Sequence, residues 1–316
     1  MMENPKVSIV IPVYNGSNFM KCAIDCALAQ TYENTEIIVI NDGSSDAGRS
    51  EEIALSYGDR IRYFSKTNGG VSSALNCGIA NMTGEYFAWL SHDDAYTPTR
   101  IEDAVKLLKA HDLLGKKYVG FTGGYIADAN GRKIRDMRCR FEKERVYSAY
   151  DAMEIMAVSG TLYGCNLLIP REAFEEAGLF DETLRYSQDT LMWYRIFLAG
   201  YGLISDDLPN VMSRMHGNQV SHLRRDLFSH DALVIAKLLA EPLGNADYTG
   251  NLLKKYIKRL TRYECVEAVD YLYQYVAERG YLKPEDRIKI KAYRIFGFCR
   301  YRLVTVAKKA LIRFRH

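Results

Sequence analysis

No apolar stretch in the chain approaches the roughly 18 residues that a membrane-spanning helix needs, although 48% of its 316 residues are hydrophobic. Met1 to Pro5 leads straight into a β-branched run instead of a charged and then apolar leader, so a cytoplasmic start is expected. Its seven cysteines (Cys22, Cys26, Cys77, Cys139, Cys165, Cys265, Cys299) are odd in number and scattered, and none forms a CxxC pair. That disfavours a disulfide framework and a paired-cysteine zinc site, and leaves reduced packing residues as the expectation. There is no internal repeat and no low-complexity segment, and no Gly-x-Gly-x-x-Gly follows the first apolar run, which removes the usual nicotinamide-binding fingerprint. Acid is missing from one place only: Arg287 to His316 holds ten Lys or Arg and no Asp or Glu, so a net charge of +3 conceals an acidic body and a basic tail.

What the chain does have is a set of short apolar runs, each ending in a polar cluster. The sharpest is Gly84 to Asp94 (GEYFAWLSHDD), where Tyr86 to Leu90 run directly into two carboxylates. A short apolar run between turn residues suits a buried strand of a parallel sheet, and such sheets take ligands just beyond their carboxyl ends. Adjacent carboxylates there call for a cation or a donor-rich ligand, and a divalent metal holding phosphate oxygens suits them. The same residues read equally as the cap of a helix over Ile101 to Leu108. Lys6 to Tyr14 and Glu36 to Ile40 repeat the pattern, the second ending at Asn41-Asp42-Gly43. A short strand is expected over Ile61 to Phe64, and helices over Phe19 to Ala27, with Phe19, Cys22, Ala23, Cys26 and Ala27 on one side, and from Gly70 to about Ile79. Strands alternating with helices imply right-handed crossovers and a doubly wound α/β sheet.

After about Leu114 the rhythm changes. Asn130-Gly131 between alternating segments predicts a hairpin, Gly164 to Pro170 a strand, Thr190 to Ala199 a helix and Asn210 to Met215 another strand. From Ser229 onward the pattern is helical. The expected division is residues 1–221 as the α/β domain, with a first half to 114 and a second from 115, and residues 222–316 as a helical extension.

Taken together these pieces resemble the GT-A glycosyltransferases of family 2. The resemblance rests on VSIVIPVYN (Val7 to Asn15), VINDGSSD (Val39 to Asp46), NGGVSSALNCGI (Asn68 to Ile79), GEYFAWLSHDD, GCNLLIPREAF (Gly164 to Phe174), LFDETL (Leu179 to Leu184), Gln188-Asp189 and MHGNQVS (Met215 to Ser221), in the family's order. It implies a mostly parallel GT-A sheet, a nucleotide-sugar donor, Mn²⁺ or Mg²⁺, and inversion at the anomeric carbon. By resemblance Pro12, Tyr14, Asn15, Asp42, Asn68, Gly69 and Asp93 bind the nucleotide. Gly164, Cys165, Asn166 and Gln188 lie on the acceptor side, and Asp93, Asp94 and His216 face the metal.

Each assignment has a plainer alternative. Tyr14 offers a stacking face or simply packs the strand end. Asp42 accepts the imide N–H of uracil or thymine, favouring UDP or dTDP donors, or makes an Asp-Gly turn. Asp189 takes the acceptor hydroxyl's proton as general base, or caps its helix. His216, a neutral imidazole suited to Mn²⁺, is a metal or diphosphate ligand or a structural histidine. His92 reads as a cap, Arg214 as a partner of phosphate or of Asp206 or Asp207, and Trp193 and Tyr194 as core. Two positions depart from the family: Ser91 stands where an Asp is usual, and Leu75 where many relatives carry Arg.

From Arg302 the tail places Leu303, Val304, Val306, Ala307, Ala310, Leu311 and Phe314 on one side and Lys308, Lys309, Arg313 and Arg315 with Arg302 on the other. That suits a helix in the headgroup layer of an anionic inner leaflet, or a helix packed on the body, or a solvated tail. No nucleic-acid module accompanies the charge. The expected activity is transfer of a sugar from a UDP- or dTDP-sugar to a saccharide or lipid-linked saccharide in capsule, O-antigen or related glycan assembly. The alternative is a catalytically silent nucleotide- or glycan-binding partner of another transferase.

Overall fold

The structure, a computed structural model, describes residues 3–137, 141–160, 162–217, 225–247, 249–263 and 265–284. Its framework begins with β1 (Val7–Val13), seven buried residues of mostly β-branched character that lie between β2 (Thr35–Asp42) and β4 (Tyr86–Trp89), parallel to both. Strand β3 (Arg62–Lys66) joins β2 on its outer side, a residue or two later than Ile61 to Phe64 predicted. The chain thus leaves β1 for one neighbour through α1 (Met20–Leu28) and returns to the other through α3 (Val71–Asn81), so a crevice opens at the carboxyl ends of β1 and β4. Pro12 is tolerated in this central strand because β4 pairs only as far as Val10, and the missing N–H falls beyond that point.

The sheet continues through β10 (Leu167–Pro170), antiparallel to β4, then β6 (Tyr118–Phe121), β11 (Gly202–Ser205) and β9 (Arg145–Tyr147), giving the order β3-β2-β1-β4-β10-β6-β11-β9. A second sheet of four strands runs β5 (Ala95–Tyr96), β12 (Val211–Arg214), β7 (Gly124–Ala127), β8 (Lys133–Asp136). The last two form the hairpin signalled by Asn130-Gly131, closed by the Asp128 carboxylate accepting from the Asn130 and Arg132 amides.

Two local expectations need correction. Helix α1 buries Met20, Ala23, Ile24 and Ala27, leaving Cys22 exposed and Cys26 half-buried, where its sulfur accepts the Tyr96 amide at 3.3 Å. The buried stripe is turned from the expected one because the cysteine side of the helix faces the short strand β5. Gly164–Asn166 is a turn of 3₁₀ helix before β10 rather than part of the strand, since the Asn166 side-chain amide reaches the carbonyls of Thr122 and Gly123.

The chain divides into two compact units, residues 1–152 with 161–222, and residues 153–160 with 223–316. The second contains α8 (Arg225–Ala246), α9 (Asn251–Thr261) and α10 (Val266–Glu278). It also takes Met153–Gly160, the second part of α5 (Ala149–Ser159), expected in the first. Lys255 pairs with Glu154 there, and Arg259 donates to the Met156 carbonyl. Among the described residues no helix is long and apolar enough to cross a membrane. The basic tail from Arg302 to His316 lies outside them.

At the amino ends of the strands, opposite the crevice, Glu36 is a buried clasp. Its carboxylate accepts from Ser8 Oγ (2.6 Å), the Thr83 amide (2.6 Å) and Arg62 (2.7 Å), tying β1, β2, β3 and the start of β4 together. Burial pushes its pKa up, but these donors outweigh it and hold the group at about 2. A depressed carboxyl stabilises the fold above its unfolded pKa and loses that contribution as pH falls. Glu36→Gln should therefore cost about 1–3 kcal/mol near neutrality, with the difference from the parent shrinking between about pH 4.5 and pH 2. Urea unfolding followed by tryptophan fluorescence checks this, since both tryptophans, Trp89 and Trp193, belong to the first unit.

Candidate active site

The site is built where β4 ends. After Trp89 the chain runs through Leu90, Ser91 and His92 to Asp93 and Asp94, and then pairs as β5 against β12, with Met212 opposite Ala95 and Val211 opposite Tyr96. Antiparallel pairing at that register brings Arg214 beside Asp94 and lets His216 reach Asp93, about 120 residues away in sequence. His216 Nε2 lies 3.0 Å from Asp93 Oδ2, and both side chains are about 15% exposed, open enough to meet a ligand. The Phe19 ring packs on the imidazole at 4.9 Å and on the Arg214 guanidinium at 4.9 Å, fixing both in place.

Asp94, expected to face the metal together with Asp93, is buried where Asp93 is partly open. It is turned inward and is 1% exposed, with Oδ1 accepting the Arg214 amide (2.9 Å) and Oδ2 the Tyr163 hydroxyl (2.7 Å). Burial and the neighbouring charge of Asp93 raise its pKa to about 7, against the opposing pull of those donors. Arg214 pairs with neither Asp206 nor Asp207 as expected. Its Nε donates to the Asp93 carbonyl (2.9 Å) and Nη1 to the Ala129 carbonyl (2.9 Å). Asp206 takes Thr122 Oγ1 at 2.6 Å, and Asp207 lies 3.5 Å from Lys143. His92 is not a helix cap, because α4 (Arg100–Ala110) starts eight residues later after Thr99. Its ring bonds the Pro12 backbone, joining the end of β4 to β1, and burial pushes its pKa down.

The other residues expected to bind the nucleotide lie at or just beyond the carboxyl ends of β1, β2 and β3. Tyr14 is 49% exposed, an open ring face. Asn15 clamps the two loops together: its amide donates to Ser44 Oγ (2.9 Å) and its side-chain carbonyl accepts the Ser45 amide (2.7 Å). Asp42 is buried and holds its own loop, accepting from Lys66 Nζ (2.8 Å), the Gly69 amide (3.0 Å) and the Gly70 amide (2.7 Å), while Asn68 donates to its carbonyl (2.8 Å). The Gly69 amide is shared with Oδ2 at 3.2 Å, so each carboxylate oxygen already faces two donors.

Gly164, Cys165 and Asn166, expected to wall the acceptor, are all buried and support the site from behind. The Cys165 sulfur accepts the Ser91 amide at 3.4 Å and lies 3.5 Å from both Ser91 Oγ and Asp94 Oδ2. Burial and the Asp94 charge push the Cys165 thiol pKa well up, so it stays protonated. Gln188 is likewise buried, in the first turn of α7 (Gln188–Leu198), while Asp189 beside it is half-buried and accepts the Thr190 amide at 2.6 Å. One turn on, Trp193 stacks edge-on to Phe180 (5.8 Å), and Phe180 to Trp89 (6.2 Å). The start of α7 therefore stands on an aromatic floor shared with the end of β4. Leu75 is fully buried in α3.

The sequence profile of "Glycosyl transferase family 2" matches residues 8–178, more than half of the chain. The chain belongs to this family. It is 47% identical over 218 residues to an uncharacterized glycosyltransferase of Rickettsia bellii, covering 69% of this chain and 31% of that one. It is also 38% identical over 289 residues to the uncharacterized glycosyltransferase RP339 of Rickettsia prowazekii, covering 90% and 82%. The chain thus spans about a third of some relatives' length, and most of RP339. In three dimensions it is similar to S. aureus TarS residues 1-349 in complex with UDP-GlcNAc, with TM-score 0.59 at 16% identity, covering 96% of this chain and 92% of that one. The likeness supports a GT-A-like fold.

Family-2 glycosyltransferases of this fold generally use a divalent metal, and the residues here fit one in part. Ligands at right angles, each about 2.1 Å from a cation, stand about 3 Å apart, the spacing of Asp93 Oδ2 and His216 Nε2. Among the described residues no group of three or more His, Cys, Asp or Glu is arranged to hold a metal ion, so Asp93 and His216 alone would leave a coordination shell incomplete. The residues whose place at the site sequence reasoning missed are Tyr163, which holds Asp94, Phe19, which packs on His216, and Lys66. Lys66 alone carried a signal, standing at a strand's carboxyl end.

A Cβ at Gly164 would be driven into the six-membered ring of Trp89. Gly164→Ala should lower the stability of the first unit by about 1–3 kcal/mol and shift tryptophan emission as Trp89 is displaced. Unchanged emission and midpoint would contradict the buttress role.

Proposed function

We propose that this chain is the catalytic part of an inverting glycosyltransferase that moves a sugar from a UDP-sugar, or a dTDP-sugar, to a hydroxyl of a saccharide or lipid-linked saccharide. The observation that carries the reading is the Asp93–His216 pair beyond the carboxyl end of β4, which stands beside β1 in the sheet. TarS, the structural neighbour, is seen with UDP and with UDP-GlcNAc, which supports a uridine donor. Tyr14 would stack on the base, and Asp42 would take its imide N–H in exchange for a share of the Gly69 amide, which now lies between its two oxygens.

Asp93 and His216 would hold Mn²⁺ or Mg²⁺, which when bound neutralises the diphosphate and eases its departure. Asp189 would stand opposite the leaving diphosphate and take the proton from the acceptor hydroxyl as its oxygen attacks the anomeric carbon. One bond forms between the acceptor oxygen and that carbon, the bond to the diphosphate breaks, and the configuration inverts. Capsule, O-antigen or similar glycan assembly is the setting that suits such an activity, with peripheral attachment to an anionic inner leaflet through the tail from Arg302.

A panel of UDP- and dTDP-sugars with Mn²⁺ tests the reaction by nucleoside diphosphate release. Asp189→Asn should lower turnover at least a hundredfold, within the range for loss of a general base, and leave UDP affinity within a few-fold. Asp93→Ala and His216→Ala should instead weaken Mn²⁺-dependent UDP binding. Transfer retained in Asp189→Asn would rule out the base. Removing Tyr301 to His316 should release the protein from vesicles containing phosphatidylglycerol without slowing turnover of a soluble acceptor. A vesicle-bound fraction equal to the parent's would rule out the anchor.

A further inference from the structure

The segment between β10 and α7 is tied to the donor side at two separate points. Past its middle, the Asn76 side chain on α3 donates to the Phe180 carbonyl (2.9 Å) and to Glu182 (2.9 Å) and accepts the Phe180 amide (3.0 Å). Farther along, Arg185 Nη1 donates to the Gly69 carbonyl at 2.8 Å. The amide of Gly69 is held by Asp42, so this residue is gripped from β2 on one side and from the α7 segment on the other. Gly70 leaves the space for it. Its φ is +88°, and a Cβ there would sit 2.6 Å from Arg185 Nη1, so the guanidinium lies against a bare backbone.

Arg185 is four residues before Asp189, and four residue steps span at most about 14 Å of chain. Ser187 and Gln188 in between are buried, so this short link has little freedom to absorb a shift. We infer that Arg185 is a positioning residue that sets Asp189 against the donor loop through its bond to Gly69, an inference resting on the reading of Asp189 as base. The planar guanidinium suits a fixed carbonyl better than an ammonium would, since its N–H groups are held in one fork. Arg185 is exposed, and Tm measured beside kcat separates an effect on the rate from one on folding.

The test compares Arg185→Ala, Arg185→Lys and Asp189→Asn in the full chain, using the UDP- or dTDP-sugar that the parent turns over fastest in the donor panel. For Arg185→Ala the expected result is a kcat lower by roughly tenfold or more, since small misplacements of reacting groups have effects of that size. Donor KM and UDP affinity should stay within about threefold, Tm should be unchanged, and Arg185→Lys should recover part of the rate. Parent-like kcat in Arg185→Ala beside an inactive Asp189→Asn overturns the inference and leaves the proposed reaction standing. A loss accounted for by weaker UDP binding also overturns it, by making Arg185 a donor ligand. An active Asp189→Asn, or no turnover of any donor by the parent, overturns both.

Discussion

The arrangement at the crevice depends on the pairing of two residues of β5 with two of β12. A two-residue ladder is marginal on its own, and side chains hold its register from both ends. Below it, Thr97 and Asn210 bond through backbone (3.0 Å) and side chain (2.8 Å), and Asn210 Nδ2 donates to Asp103. Above it, Arg214 reaches back to the Asp93 carbonyl and across to the hairpin turn at Ala129. A slip of one residue would turn each side chain to the other face. His216 would then leave Asp93, and the inward bonds of Asp94 would break with it.

Adjacent carboxylates ordinarily repel, and here the chain separates them by direction. Asp93 faces the rim with an imidazole beside it, while Asp94 faces inward among the Tyr163 hydroxyl, the Arg214 amide and the Cys165 thiol. The buried member holds a proton up to about pH 7, so the two need not be charged together over much of the acidic range. Asp94 is thus a structural centre: it binds β12 to the end of β4, and the position of Asp93 follows from it.

Much of the frame was legible from residues. Continuous Val and Ile runs marked β1 and β2, the apolar Tyr86 to Leu90 run marked β4, and Asn130-Gly131 marked the hairpin, because burial on both faces and positive φ both select residue types locally. The meeting of Asp93 with His216 was legible only through family order, since β5 is too short to show any periodicity. The direction of Asp94 and the burial of Cys165 and Asn166 were not legible. A polar residue at a strand end faces ligand or interior according to tertiary neighbours, and a sequence of GCNLLIP carries no mark of which. Asp42 shows the same limit. Its partners Lys66, Gly69 and Gly70 come from the next strand and loop, so the carboxylate is already engaged within the fold.

Ser91 is explained by the same surroundings. Its hydroxyl lies 3.5 Å from the Cys165 sulfur, which lies 3.5 Å from Asp94 Oδ2. An aspartate at this position would bring a third carboxylate toward Asp94 and the buried Cys165 thiol, while the nearby guanidiniums are turned to backbone carbonyls, Arg100 to that of Cys165 (3.5 Å) and Arg214 to that of Asp93 (2.9 Å). Each group would raise the pKa of the other, and one would have to stay neutral or move outward. Serine bonds the thiol instead and carries no charge. On the proposed reading the consequence falls on the metal, because Asp93 is left as the one anionic ligand beside a neutral imidazole. A cation held by so small a charge depends on the donor's diphosphate for most of its binding, so metal and nucleotide should bind with strong mutual dependence.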